Sequence, residues 1–214
     1  MAHSKSVWQT GNYMEIMKLW PKNGNHVLAQ YDDHNIVVYQ AFCPEIANYA
    51  VKNQRFGGPH YSFDRMSWIK PNFLWMMYRC GWATKSKQER VLAVRITREG
   101  FDSILSKAYS AQAQKAAGLN KNDIQVRLQW DPDHKPSGAP TLRRAIQLGL
   151  KGEILRKYAT EWIVSIEDVT PFVQEEMVKL TPENIDKLVV PIEKVYHVTD
   201  KKTANLINVE EPEL

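Results

Sequence analysis

Residues 35–58, NIVVYQAFCPEIANYAVKNQRFGG, decide the fold. From Asn35 to Phe42, β-branched and aromatic side chains follow one another with little polar interruption, the pattern of a buried strand. Pro44 then supplies the fixed φ suited to a first helical turn, and Ile46, Ala47, Ala50 and Val51 recur at helical spacing. Gly57 and Gly58 stop that run. The segment thus reads as strand, helix and glycine turn. Working outward, Arg90–Thr97 alternates like a half-buried strand, and residues 100–116, GFDSILSKAYSAQAQKA, read as one Ala- and Gln-rich helix. Residues 124–130, IQVRLQW, alternate again and run into DPDHKPSGAP, a loop by its proline, glycine and aspartate content. Arg143–Leu150 reads as a strand, GEILRKYA as a helix, and Glu161–Ile166 as a last core strand. These five short strands with interspersed helices predict an α+β fold, a single domain over residues 1–180 with a central, mostly antiparallel sheet and flanking helices. Val37, Val38, Leu92, Val94, Ile163 and Val164 are its expected buried sheet residues. Residues 181–214 carry fewer apolar anchors and are expected to form a C-terminal extension that packs on the surface or is partly mobile.

The 214 residues suffice for a real hydrophobic core, and 43% hydrophobic with 24% charged residues are globular values. No apolar run is long enough to span a bilayer, so no membrane partner is expected. The N-terminal stretch lacks a secretory layout and the C-terminal NVEEPEL carries no retrieval or prenylation motif, which predicts a cytoplasmic or nuclear protein. Cys43 and Cys80 lack zinc-ligand spacing and read as reduced, buried thiols. Six histidines fall in loops without partner spacing, so no metal is assigned; His60 alone is kept as an acid or base candidate. GxSxG, P-loop and GxGxxG motifs are absent, which removes the common hydrolase, NTPase and Rossmann dehydrogenase readings. A net charge of +4 is a weak bias toward anions, but its placement is uneven. Arg55, Arg65, Lys70, Arg79, Lys85, Lys87 and Arg90 fall in one span, whereas the last third is acidic.

That basic span contains SFDRMSWIKPNFLWMMYRCGW, residues 62–82, with three tryptophans and three methionines. Pro71 suits the first helical position and Gly81 a left-handed cap, predicting a short helix from Pro71 to Cys80. Phe73, Met76, Met77 and Cys80 lie three and four apart and form its core stripe. Trp75, Tyr78, Arg79 and Trp82 leave on other sides, where they serve either a second buried layer or stacking on a ring. Arg65 and Lys70 flank Trp68 just before a helix N-terminus, whose free N–H groups and dipole favour an anion such as phosphate.

VVYQAF, RMSWIKPNFLWMMYRCGW, QERVLAV and EWIVSIEDVT together resemble the family known as domain of unknown function 4291, with Ser67, Asn72 and Cys80 replacing the family's Thr, Ser and Ser. The order of elements also resembles ADP-ribosyltransferases of the DNA-directed type. The likeness lies in a first strand with a polar ligand residue (VVYQAF), an aromatic segment with an arginine (YSFDRMSW) and a late strand opened by glutamate (EWIVSIEDVT). Gln40 stands where that class usually has arginine or histidine. The resemblance implies NAD as cofactor, a nucleic-acid or protein acceptor, Glu161 as catalytic carboxylate with Glu89 as the alternative, and Tyr39, Gln40, Tyr61, Arg65, Trp68 and Lys70 around the cofactor. Arg65 and Lys70 would hold the pyrophosphate, with Trp68 or Tyr61 against a ring. In such chemistry a carboxylate stabilises the oxocarbenium character that develops as nicotinamide leaves. The competing readings are a non-catalytic nucleotide or nucleic-acid binding module using the same residues, and a protein-interaction domain in which the Trp-rich segment is all core.

Overall fold

The run Asn35–Phe42 forms the strand its composition dictates, and it organises the sheet around it. The computed structural model describes residues 8–210; residues 1–7 and 211–214, with His3 and the end of NVEEPEL, lie outside the described residues. The chain begins with β1 (Thr10–Asn12), α1 (Tyr13–Ile16), β2 (Gly24–Asn25), β3 (Leu28–Ala29), β4 (Asn35–Phe42), α2 (Pro44–Asn53) and β5 (Ser67–Ile69). It continues through α3 (Phe73–Cys80), β6 (Arg90–Thr97), α4 (Arg98–Leu105), β7 (Ala108–Tyr109), α5 (Ala111–Ala116), β8 (Val126–His134) and β9 (Pro140–Leu150). It closes with α6 (Gly152–Lys157), β10 (Ile163–Asp168), α7 (Thr170–Met177), β11 (Val189–Pro191), β12 (Lys194–Val195) and α8 (Lys201–Ile207).

β4 and β6 pair antiparallel without a slip from Asn35–Thr97 to Phe42–Arg90, and β10 pairs with the other edge of β6. A second, five-stranded sheet is built on β9, which runs antiparallel to β8 and β5 and parallel to β2, with β7 parallel to β8. The two sheets pack face to face through the core and are also joined by a backbone bridge. Tyr39 N–H donates to the Lys70 carbonyl at 2.7 Å and Lys70 N–H returns the bond to the Tyr39 carbonyl at 3.2 Å. Two further pairs, β1 with β11 and β12 with β3, bind the ends of the described chain to the body. The result is a single α+β domain.

Both faces of the β10–β6–β4 sheet are covered, which explains why β4 is apolar at successive positions. Ile36, Val38, Leu92, Val94 and Ile96 face α2, α4, α6 and the inner side of β8 and β9. Val37, Tyr39, Val91 and Ala93 face α3, α7 and the Tyr13–Trp20 segment. Ile163 and Val164 correct the expected core: Ile163 is half-buried and Val164 is 48% exposed. β10 is an edge strand with a register shift between Ile163 and Ser165, so its outer positions meet solvent. Glu161 and Trp162 belong to a wide turn, Tyr158–Trp162, rather than to the strand. The expected helix over 100–116 is two helices separated by β7, because Ala108 and Tyr109 pair with Val126 and Arg127 and a sheet ladder overrides Ala-rich propensity. DPDH continues β8 instead of leaving it, with the bulge between Pro132 and His134 absorbing the proline. Beyond Thr181, where a surface extension is expected, the chain supplies buried Leu188, Val190, Tyr196 and Ile207 to the two core clusters.

α3 positions the site. It starts at Phe73 with Asn72 as N-cap and ends at Gly81 in the left-handed region, φ 58°. Its predicted stripe is buried, and so are Leu74, Trp75 and the following Trp82, while Tyr78 and Arg79 are exposed. The second buried layer is therefore the correct reading of the tryptophans. The N-terminal N–H groups of α3 are not free for an outside anion. Phe73 N–H donates to Glu193 Oε1 at 2.6 Å, Trp75 N–H to Asn72 Oδ1 at 2.7 Å, and Asn72 Nδ2 to Glu193 Oε2 at 3.0 Å. Glu193, 3% exposed, is thus an internal occupant of the helix N-terminus. Burial pushes its carboxyl well above the usual range; Asp133 adds to this, while the Phe73 N–H, Arg143 and Asn72 pull the other way.

Candidate functional site

A cleft of about 670 Å³ opens where the end of β4, the 60–70 segment, α3 and the faces of β8 and β9 come together. Each wall has its own chemistry. Segment 60–70 brings Tyr61, Ser62, Arg65, Trp68 and Lys70, α3 brings Arg79, and the loop before β6 brings Lys87 and Gln88. β8 and β9 add Gln129 and Gln147, directly opposite each other in the ladder. Four cationic side chains therefore face one concavity whose lining, among the described residues, contains no aspartate or glutamate. In such a site the field is of one sign and anions are concentrated.

Gln40 is held on three sides. Its Nε2 donates to Ser67 Oγ at 2.8 Å and to the Trp68 carbonyl at 3.1 Å, and its Oε1 accepts from Tyr158 OH at 2.8 Å. The amide ties β4 to β5 and to the turn after α6, and so fixes the floor of the cleft. Trp68 lies opposite Gly149 of β9. A Cβ on Gly149 would stand 2.9 Å from Trp68 Cζ2 and 2.5 Å from Met66 Sδ, so only glycine lets these two side chains cross the strand.

Lys70 is 6% exposed, and its ammonium makes no ion pair or hydrogen bond with a described residue. Burial, followed by the nearby Arg79 charge, lowers its pKa from 10.5 to about 8; Cys80 and Asp131 act in the opposite sense. Asp131 itself accepts from Gln147 Nε2 at 2.6 Å, and Gln147 Nε2 also donates to Gln129 Oε1 at 2.9 Å. Cys43 is a half-buried free thiol on the cleft wall and Cys80 a buried one.

Of the residues expected around a cofactor, Gln40, Tyr61, Arg65, Trp68 and Lys70 converge on this cleft. Tyr39 does not. It points to the opposite face of β4, 5.5 Å from the Phe73 ring and 5.7 Å from Trp8 (centroid to centroid), with its hydroxyl buried and unpaired. Strand alternation requires this, since neighbours on a strand face opposite ways. Glu161 is exposed on the Tyr158–Trp162 turn and outside the cleft lining. Glu89 is half-buried and also outside it; its Oε1 accepts the Lys87 N–H at 2.8 Å and holds the loop that carries Lys87 and Gln88. His60 lines the mouth. Sequence reasoning gave no role to Gln129 and Gln147. Alternation placed both on strands, but their juxtaposition depends on the β8–β9 register.

An α+β domain with a cationic, aromatic-walled cleft is the class that fold and site define. The family described as Domain of unknown function (DUF4291) matches residues 26–196, and the chain belongs to it. No curated protein matches the chain. No helix among the described residues is long and apolar enough to cross a membrane.

Proposed function

We propose that the cleft binds a phosphate-bearing nucleotide, with its phosphates between Arg65, Arg79 and Lys87 and its base against Trp68. The observation that carries this reading is the convergence of four cations on a concavity with no acidic residue among its described lining. Guanidinium groups match phosphate oxygens in geometry and stay charged at every relevant pH. The exposed mouth admits either a free nucleotide or a nucleotide within a DNA or RNA strand. Calorimetric titration with NAD, AMP, single-stranded DNA and RNA tests it. Arg65→Ala and Arg79→Ala are each expected to weaken the tightest of these about 10-fold, one charge-assisted contact, with the melting temperature within ~1 °C of wild type. Affinities unchanged in both variants would remove this cleft from consideration.

A second reading, NAD-dependent ADP-ribosyl transfer, is favoured by the convergence of Gln40, Tyr61, Arg65, Trp68 and Lys70, the residues that the resemblance assigns to NAD. The exposed position of Glu161 weighs toward binding alone, because a carboxylate acts on the ribose only within hydrogen-bond reach. Nicotinamide release from NAD together with ADP-ribose on an offered nucleic acid or protein, both lost in Glu161→Gln, would instead establish transfer.

A further inference from the structure

Lys70 differs from the other cations of the cleft. Arg65, Arg79 and Lys87 are exposed, whereas Lys70 is buried at the base of the wall, its backbone pinned to Tyr39 on β4. Arg79 and Cys80 face it from α3 and Asp131 from β8, and no carboxylate among the described residues is bonded to its ammonium. A largely desolvated amine at a cleft wall beside a second cation is the arrangement that makes lysine a nucleophile. The surroundings also say what it would meet. Gln88, Gln129, Gln147 and Ser62 are neutral donors and acceptors suited to hydroxyl groups, and the arginines are suited to phosphate.

We propose that Lys70 is the amine nucleophile of this cleft and captures the open-chain aldehyde of a phosphorylated sugar as an imine, with Arg65 and Arg79 holding the phosphate. The proposal rests on the reading of the cleft as a phosphate-binding site. The Nζ lone pair forms the new bond to the aldehyde carbon. The carbonyl oxygen leaves with the two amine hydrogens as one water, so that a C=N bond replaces C=O with no change of oxidation state. An amine with a pKa of about 8 holds roughly 300-fold more neutral form at pH 7 than a surface lysine. Three sources present the same aldehyde: ribose 5-phosphate, ADP-ribose, and an abasic site within a DNA strand.

Trapping tests the proposal. The full chain is incubated with each of the three compounds and sodium cyanoborohydride, the reduced adduct is mapped by peptide mass spectrometry, and binding without reductant is measured calorimetrically in parallel. The expected result is an adduct at Lys70 at least ~10-fold above any other lysine, set by its larger neutral fraction. Its rate should rise with pH and level off above about 8, and Lys70→Met should lose it at ligand concentrations that saturate both proteins. The compound giving the highest yield identifies the source. Adducts spread over exposed lysines such as Lys85 and Lys87, or a yield unaffected in Lys70→Met, overturn the proposal. Binding without any adduct at Lys70 overturns the imine and leaves the phosphate-binding reading intact; absence of binding by all three overturns both.

Discussion

Lys70→Met is expected to make the protein more stable and its ligand binding weaker. Wild-type Lys70 is 6% exposed with no counter-ion among the described residues, and a folded pKa of about 8 against 10.5 is a penalty on folding at neutral pH. Methionine matches the length and removes the charge, so a gain of about 2 kcal/mol is expected at pH 7. The sign of the pH dependence is fixed. Below pH 8 both states hold the proton and the penalty is full; between about 8 and 10.5 the unfolded chain binds more protons, so wild-type stability rises toward that of the variant. Urea unfolding of both proteins at pH 7 and pH 10 measures the difference, which should be large at the first and small at the second. Affinity for a phosphate ligand should fall about 10-fold in the variant at pH 7. It should also lose the weakening that the wild type shows as pH rises through 8. A variant less stable than wild type at pH 7 would mean that the buried ammonium is satisfied in solution and is not available to a ligand.

Glu193→Ala is expected to destabilise the domain by about 3 kcal/mol at pH 4.5, the combined effect of two unpaired buried donors and a cavity. The donors are Phe73 N–H and Asn72 Nδ2, both at the start of α3. Burial raises the folded pKa of Glu193, so this carboxyl's contribution is complete below the unfolded value of 4.5 and declines as pH rises toward its folded pKa. The difference between wild type and variant should therefore shrink from pH 4.5 to pH 9. Chemical unfolding across that range measures it, and a difference that grows with pH would show Glu193 to be ionised in the folded state.

β4, α2 and β6 were legible because local pattern and final environment agree: the strands are apolar where they are buried, and Pro44 sits at the start of its helix. Arg65, Trp68 and Lys70 were legible as a cluster because they are close in sequence. What could not be read is whatever depends on distant pairing. β7 exists only because β8 is beside it, and Gln129 meets Gln147 through a ladder register. Glu193, 120 residues beyond Phe73, takes the helix N-terminus that the sequence assigned to an outside anion. Glu161 and Tyr39 failed for smaller reasons. A turn of five residues replaced the first position of a strand, and one residue of strand alternation separates the cleft from the core.

The backbone bridge between the sheets, Tyr39 with Lys70, has a consequence for how the cleft comes into being during folding. The β8–β9 hairpin joins residues close in sequence, whereas the bridge joins positions 39 and 70 and the Trp68 wall joins β5 to β9 near residue 149. Loop-closure entropy disfavours such distant contacts until the nearer ones exist. A chain that has formed only its hairpin therefore has no cleft, because the pocket also needs the 39–70 and 68–149 contacts. A ligand of this pocket acts on the finished fold alone, and its free energy of binding adds undivided to the stability of the whole domain.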